Sequence, residues 1–292
     1  VPSSGLGSIR CKVIACTRFC DVTLIVPSVM QCYLHDEVAR CSWPTLIPPG
    51  LLPSEACGHS FTESRTSLRQ RNHGIETRSE VAVSLDDAAE LRRVVVTNIC
   101  NQQRTLSATS YVEVVLDAPA TDSAHPAFSK LFIETEVDDV LQAILATRRP
   151  STPADPTPWL FHFALVDGSA AQAPSFETDR MRFIGRGRDA RQPLAMDNGA
   201  ALSGTAGPVL DAVAAIRVPF VLEAGESITI DWFTGMADTR DACIALARKL
   251  RNIRAAPKML EQAGSYRRTV LGMLGISDAD AIIHQRMAAS LI

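Results

Sequence analysis

At 292 residues the chain can bury a sizeable core, as one large β-rich domain or two smaller ones. Hydrophobic residues at 46% and charged residues at 21% are ordinary for a globular protein, and a formal net charge of -3 argues against a general nucleic-acid binder, which needs a basic face. No apolar run reaches the roughly 18 residues that a membrane-spanning helix requires.

The chain begins at Val1 with a basic and apolar stretch, SIRCKVIACTRFCDVTLIVPS. Arg18 and Asp21 interrupt it, so it makes a poor secretory signal. Six of the eight cysteines fall in the first 57 residues: Cys11, Cys16, Cys20, Cys32, Cys41 and Cys57. Only Cys100 and Cys243 follow. None form the paired C-x2-C knuckles of a zinc site, so free thiols and no metal are expected. Residues 1–60 show no sustained period and receive no architecture from pattern alone.

Residues 61–236 read as successive strands. In GIETRSEVAVSLDD, Ile75, Thr77, Ser79, Val81 and Val83 share one face, and Asp86-Asp87 offers a turn. ELRRVVVTN follows. TSYVEVVLDAP puts Val112, Val114 and Leu116 together. EVDDVLQAILATRR fits both a helical stripe and a strand face; its neighbours on both sides are strands, so a strand is expected from about Leu141. FHFALVDGS aligns Phe161, Phe163 and Leu165. VPFVLEAGESITIDWF reads as a hairpin around EAGE. Many strands without intervening helices predict an antiparallel sandwich.

Residues 237–292 read as helices. Asp238 is expected to cap TRDACIALARKLRN, with Ala242, Ala245, Leu246 and Leu250 buried. Pro257 opens a second helix that closes near Gly275. Ser277 and Asp280 form a cap for a third. That helix runs to Ile292 with no stop signal, and its apolar positions Ile282, Ile283 and Leu291 imply a further packing partner. The chain therefore reads as a piece cut in mid-structure.

Few residues suggest chemistry. FETDRMRFIGRGR ends in a Gly-x-Gly run that follows a strand. The next stretch, RDARQPLAMDNG, is a polar turn rather than a helix, so the run reads as a strand end and not as a phosphate loop. Arg186 and Arg188 are kept as sugar-contact candidates. The six histidines, His35, His59, His73, His125, His162 and His284, lie in no nucleophile motif, and no G-x-S-x-G occurs. His162 should point away from the Phe161–Phe163 face. Glu134, Glu136, Asp138 and Asp139 could supply glycosidase carboxylates, but read as an acidic edge strand and turn. Trp43, Trp159 and Trp232 could stack on sugars, though strand tryptophans usually lie in cores. No catalytic residue is assigned.

Several long segments occur together in one order: GIETRSEVAVSLDDAAELRRVVVTN, TSYVEVVLDAPATDSAHPAFSKLFIETE, FETDRMRFIGRGR and ALSGTAGPVLDAVAAIRVPFVLEAGESITIDWFTGMADTRDACIALA. They resemble the β-sandwich part of the glycoside hydrolase family 94 region found in bacterial cyclic β-1,2-glucan synthases, over roughly residues 62–292. The resemblance implies a mainly β fold, an antiparallel supersandwich like galactose-mutarotase domains, over residues 61–236. It implies that residues 237–292 link it to a downstream (α/α)6 barrel that carries the catalysis. It further implies a β-glucan or oligosaccharide partner, no cofactor, no nucleic acid, and a cytoplasmic location with the parent enzyme anchored at the bacterial inner membrane. The fragment would act as scaffold and carbohydrate-facing surface; the alternative is a self-sufficient carbohydrate-binding module. Residues 1–60 depart from the family's early strands in this comparison, which predicts divergent or out-of-frame coding sequence there.

Overall fold

A computed structural model describes residues 9–18, 30–45, 56–62, 65–150, 152, 155–167 and 171–289. Their strands are, in chain order, β1 (Arg10–Cys11), β2 (Ile14–Thr17), β3 (Gln31–Asp36), β4 (Cys41–Pro44), β5 (Ala56–Thr62), β6 (Arg65–Asn72), β7 (Ile75–Val83), β8 (Ala89–Asn98), β9 (Arg104–Asp117), β10 (Ile133–Asp138), β11 (Ala143–Arg148), β12 (Trp159–Asp167), β13 (Ser175–Asp179), β14 (Gly207–Pro208), β15 (Ala212–Leu222) and β16 (Ser227–Ala237). The helices are α1 (Pro119–Ala124), α2 (Pro126–Lys130), α3 (Arg180–Ile184), α4 (Arg240–Leu250), α5 (Ala255–Leu274) and α6 (Asp278–Ala289).

The strands form two antiparallel sheets. One has seven strands, with β9 at its centre between β15 and both β2 and β3; β13 continues beyond β15. The other has nine, in the order β14-β10-β11-β12-β16-β8-β7-β6-β5. Their facing sides enclose the main core, where Leu34, Val96, Leu106, Leu160, Ile216, Phe220 and Ile230 meet. This is the expected mainly β antiparallel supersandwich.

Both outer faces are covered as well. On the nine-stranded sheet, Leu91, Leu145, Phe161, Phe163 and Phe233 pack beneath α4 and α5. On the seven-stranded sheet, Tyr33, Tyr111 and Val213 pack beneath Phe183 and Ile184 of α3 and Met196. Central strands therefore lack a solvated side. In β9 the expected row Val112, Val114, Leu116 is buried, and so are Tyr111, Glu113 and Val115 opposite. Double coverage removes the alternation that marks a half-exposed strand.

The described residues among 1–60 are not foreign to this fold. β1 to β4 join the seven-stranded sheet, and β5 edges the other. Cys16, Cys32, Leu34 and Trp43 sit in the main core. The expectation of divergent or out-of-frame sequence fails on this packing. Most of the segment's strands are short, and β2 and β3 also pair with β9 far along the chain, so local periodicity had little to register. Cys20 and the side chain of Cys57 lie outside what is described. Cys11, Cys16, Cys32, Cys41, Cys100 and Cys243 are free thiols.

A second correction concerns the EAGE turn. β15 and β16 do not pair; they belong to opposite sheets. The turn is an arch across the sandwich, and β8 to β9 makes another beside it. Asn98 joins the two. Its Nδ2 donates to the carbonyls of Gln102 (2.8 Å), Leu222 (3.2 Å) and Glu223 (3.1 Å), and its Oδ1 accepts from the Cys100 amide (3.0 Å). Gly225, at φ +79, donates its amide to the Asn98 carbonyl at 2.9 Å.

The ambiguous segment splits into β10 and β11, so its second half is a strand as expected, starting at Ala143. After β13 the one-turn helix α3 intervenes before Gly185, where a plain strand end was expected; Asp179 caps it, accepting from the Met181 amide at 2.8 Å. Thr239, not Asp238, caps α4, accepting from the Ala242 amide at 3.2 Å. The stripe that α4 buries is Cys243, Ile244, Ala247 and Leu250. Only Leu250 of the expected set is fully buried, since the sheet lies one residue further round the helix than the stripe supposed. α5 ends at Gly275 in the left-handed region (φ +64), and the Asp280 amide donates to Ser277 Oγ at 3.2 Å, as the sequence predicts.

Replacing Asn98 by Ala leaves three buried or half-buried carbonyls without their donor. The variant should lose about 2–3 kcal/mol of stability in urea unfolding. A loss within error of zero would remove Asn98 from this role.

Candidate functional site

The residues with candidate chemistry fall into separate groups. Arg186 and Arg188 lie on an exposed loop after Gly185, whose φ is +85. Arg188 Nη1 donates to Asp197 at 2.6 Å. The loop is held from inside by Arg217, only 1% exposed. Its guanidinium donates to Thr109 Oγ1 at 2.9 Å, to the Asn198 carbonyl at 3.3 Å, and to the carbonyls of Ala195 and Ala200. Burial lowers its pKa to about 10. Arg217 is thus a structural clamp whose acceptors are neutral.

The acidic set is dispersed along β10 and the turn that follows it. Glu134 pairs with Arg149 at 3.3 Å and Glu136 with Arg240 at 2.6 Å. Asp138 Oδ1 accepts from the amides of Val140 and Leu141, closing the β10–β11 turn. These carboxylates stabilise a turn and surface ion pairs; the turn is as expected, but the two-residue β14 pairs with β10 at Glu134 and Thr135 and takes the edge position. Trp43 and Trp232 lie in the core, while half-buried Trp159 carries the Arg240 guanidinium 5.7 Å from its ring centroid.

The buried carboxylates named here are internally matched. Glu113, 2% exposed, accepts from Arg18 Nη1 (2.9 Å), Arg180 Nε (3.1 Å) and Tyr111 OH (2.8 Å). Burial pushes its pKa up, but Arg18, Tyr111 and Arg180 together outweigh that and hold it below the usual carboxylate range. Asp36 pairs with Arg104, Asp231 with Arg93, and Glu90 with Arg92. Glu177 accepts from the amides of Thr178 and Asp179 and from Ser203 Oγ.

His162 points, as expected, to the side opposite Phe161 and Phe163. It bridges the sheets: Nε2 lies 2.8 Å from Ser110 Oγ on β9, and Nδ1 lies 2.8 Å from Thr234 Oγ1 on β16. Burial lowers its pKa to about 3. Beside it is a cavity of about 20 Å³ lined by Gln31, Ser79, Ser110 and Trp232 among others. Gln31 Oε1 and Ser79 Oγ there have no protein partner. The space suits water; sugar sites need hundreds of cubic ångströms, on the order of 300 or more. Among the described residues no group of three or more His, Cys, Asp or Glu side chains could hold a metal ion.

A surface feature went unnoticed in the sequence. The β9–β10 connection carries α1 and α2, and Phe128 on α2 is 63% exposed. Its ring meets Phe132 edge-on, with centroids 5.0 Å apart at 72°. The guanidinium groups of Arg148 and Arg149 lie 5.3 and 5.9 Å from the Phe132 centroid. The one sequence signal was a large apolar residue in a connection opened twice by proline, at Pro119 and Pro126.

The sequence profile of the family described as "Glycosyl hydrolase 94, supersandwich domain" matches residues 1–253. The chain belongs to that family. The match takes in the first 60 residues, so their supposed departure from the family pattern is overturned on this count too. The chain is also 28% identical over 260 residues to the cyclic beta-(1,2)-glucan synthase NdvB of Rhizobium meliloti (strain 1021). That overlap covers 89% of this chain and 9% of the relative, so the chain spans a small part of that protein's length. Two solved structures overlap it partially. A bacterial glucoamylase complexed with acarbose has a TM-score of 0.49 at 5% identity, covering 87% of this chain and 32% of that one. A family GH92 α-mannosidase from Bacteroides thetaiotaomicron has a TM-score of 0.37 at 10% identity, covering 73% and 24%. No helix among the described residues of this supersandwich domain is long and apolar enough to cross a membrane.

Two groups of the domain set its response to acid. His162 is neutral when folded and titrates near pH 6.5 when unfolded, so the unfolded chain binds the extra proton between about pH 6.5 and 3. Stability should fall with acidification across that window, by at most about 1.4 kcal/mol per pH unit from this residue. His162→Gln should flatten the slope between pH 6.5 and 4 in thermal melts; an unchanged slope would contradict the assignment. Glu113 has a depressed folded pKa, so its contribution is complete above the unfolded value near 4.3 and is lost as pH falls below it. Glu113→Gln should cost about 1–2 kcal/mol at pH 7, since Arg18 keeps Asp122 and Arg180 keeps Asp211, and that cost should shrink below pH 4.

Proposed function

We propose that this chain serves as the supersandwich scaffold of a larger carbohydrate-active protein of the glucan-synthase type. In this reading it presents a surface to β-glucan while bond making and breaking take place on another domain. The scaffold comprises β1 to β16, and the segment from residue 237 onward, with α4 seated on the sheet, leads toward a catalytic (α/α)6 barrel. The observation that carries the reading is the matching of buried charge. Glu113, Asp36, Asp231, Glu90 and Glu177 are each bonded to an arginine or to backbone amides. A glycosidase acid needs a carboxyl that is free to reach the scissile oxygen, with a second carboxylate about 5–10 Å away across the sugar. The named pairs offer none.

The exposed loop carrying Arg186 and Arg188 belongs to the glucan-facing surface in this proposal. Guanidinium groups donate to sugar hydroxyls without requiring a deep pocket. Their contribution is modest, because Arg188 already bonds Asp197.

Purified protein incubated with linear β-1,2-glucan and inorganic phosphate should show neither phosphorolysis nor transfer by product chromatography. Calorimetric titration with the same glucan should show binding, weakened about twofold to fivefold in the Arg186→Ala, Arg188→Ala double variant. Robust turnover would overturn the scaffold reading, and absence of heat at millimolar glucan would overturn the glucan-facing part.

A further inference from the structure

We infer that Phe128, Arg149 and Glu134 form a stacking subsite for one pyranose unit of a neutral oligosaccharide, an assignment that rests on the glucan-facing role proposed above. An exposed phenyl ring is unfavourable in water unless it packs or binds, and here it is held ready. Phe128 stands edge-on against Phe132. Phe132 in turn lies against Arg148, which is anchored by Asp117 at 2.9 Å and by the Ser129 carbonyl at 2.7 Å. The outer face of the Phe128 ring therefore has a fixed base and no further conformational search to lose on binding.

The polar flank fits the same ligand. Arg149 donates to the Leu131 carbonyl at 3.1 Å and pairs with Glu134 at 3.3 Å. Roughly half of each side chain stays exposed, at 54% and 45%. A guanidinium supplies donors and a carboxylate supplies acceptors, and a sugar diol can satisfy both at once. The axial hydrogens on one face of a β-glucopyranose are apolar and suit the ring of Phe128. Because the two charges offset each other, the pair favours a neutral glycan over a polyanion. Within the β9–β10 connection the exposed large apolar side chains are Phe128 and Leu131.

The experiment is calorimetric titration of the intact chain with linear β-1,2-glucooligosaccharide, using wild type, Phe128→Ala, Phe128→Tyr and Arg149→Ala. Phe128→Ala should weaken binding about tenfold with an unchanged melting temperature, because the side chain is exposed. Phe128→Tyr keeps the ring and should bind as wild type does. Arg149→Ala should fall between. Wild-type affinity in Phe128→Ala, or equal loss in the Tyr and Ala variants, would overturn the subsite while leaving the glucan-facing role intact. A wild-type chain that binds no glucan would overturn both.

Discussion

The sandwich depends on where β16 is inserted. In the nine-stranded sheet it is the single strand between two blocks: β10 to β12 with β14 on one side, β5 to β8 on the other. Its ladder with β12 runs from Thr229 to Ala237, and its ladder with β8 runs from Ser227 to Gly235. Asn98 fixes the entry to that strand by tying the arch that precedes it to the end of β8. Position along the sheet, burial of Phe233 and Trp232 on opposite faces, and the alignment of Thr234 with His162 all follow from that one join.

The close approach at Gly235 shows how tightly the strand is set. A Cβ there would lie 2.5 Å from Phe161 Cζ and 2.8 Å from the Ala88 carbonyl oxygen. Phe161 uses that space to reach the layer beneath α4 and α5. Polar groups are distributed by the same geometry. His162 and Ser110 meet in the interior because β12 and β9 face each other there, while Glu113 of β9 meets Arg18 and Arg180 from the segments that follow β2 and β13.

Much of this was legible in the chain. The alternation at Ile75–Val81 and at Phe161–Leu165 marks real strand faces, and Gly275 with Ser277 marks a real helix junction. The misreadings have physical causes. EAGE has the composition of a tight turn, and a hairpin and an arch require the same residues; only the pairing of β15 with β9 and β13, and of β16 with β8 and β12, separates them. β9 is covered on both sides, so its sequence carries no polar phase. The first 60 residues supply short strands whose partners lie in β9 and β6. On the site, pattern reading favoured Arg186 and Arg188 because glycine and arginine stand out in a string of letters. Phe128 has no such motif, and its interest arises from exposure and from the rings and guanidiniums gathered around it.

The central placement of β16 has a consequence for synthesis on the ribosome. Until residue 237 has left the exit tunnel, the nascent polypeptide holds two incomplete half-sheets with open strand borders facing each other across a gap. A cell making this protein must therefore shield those borders for the time needed to translate the last strand, and a pause in translation before Ser227 would lengthen exposure to misassembly.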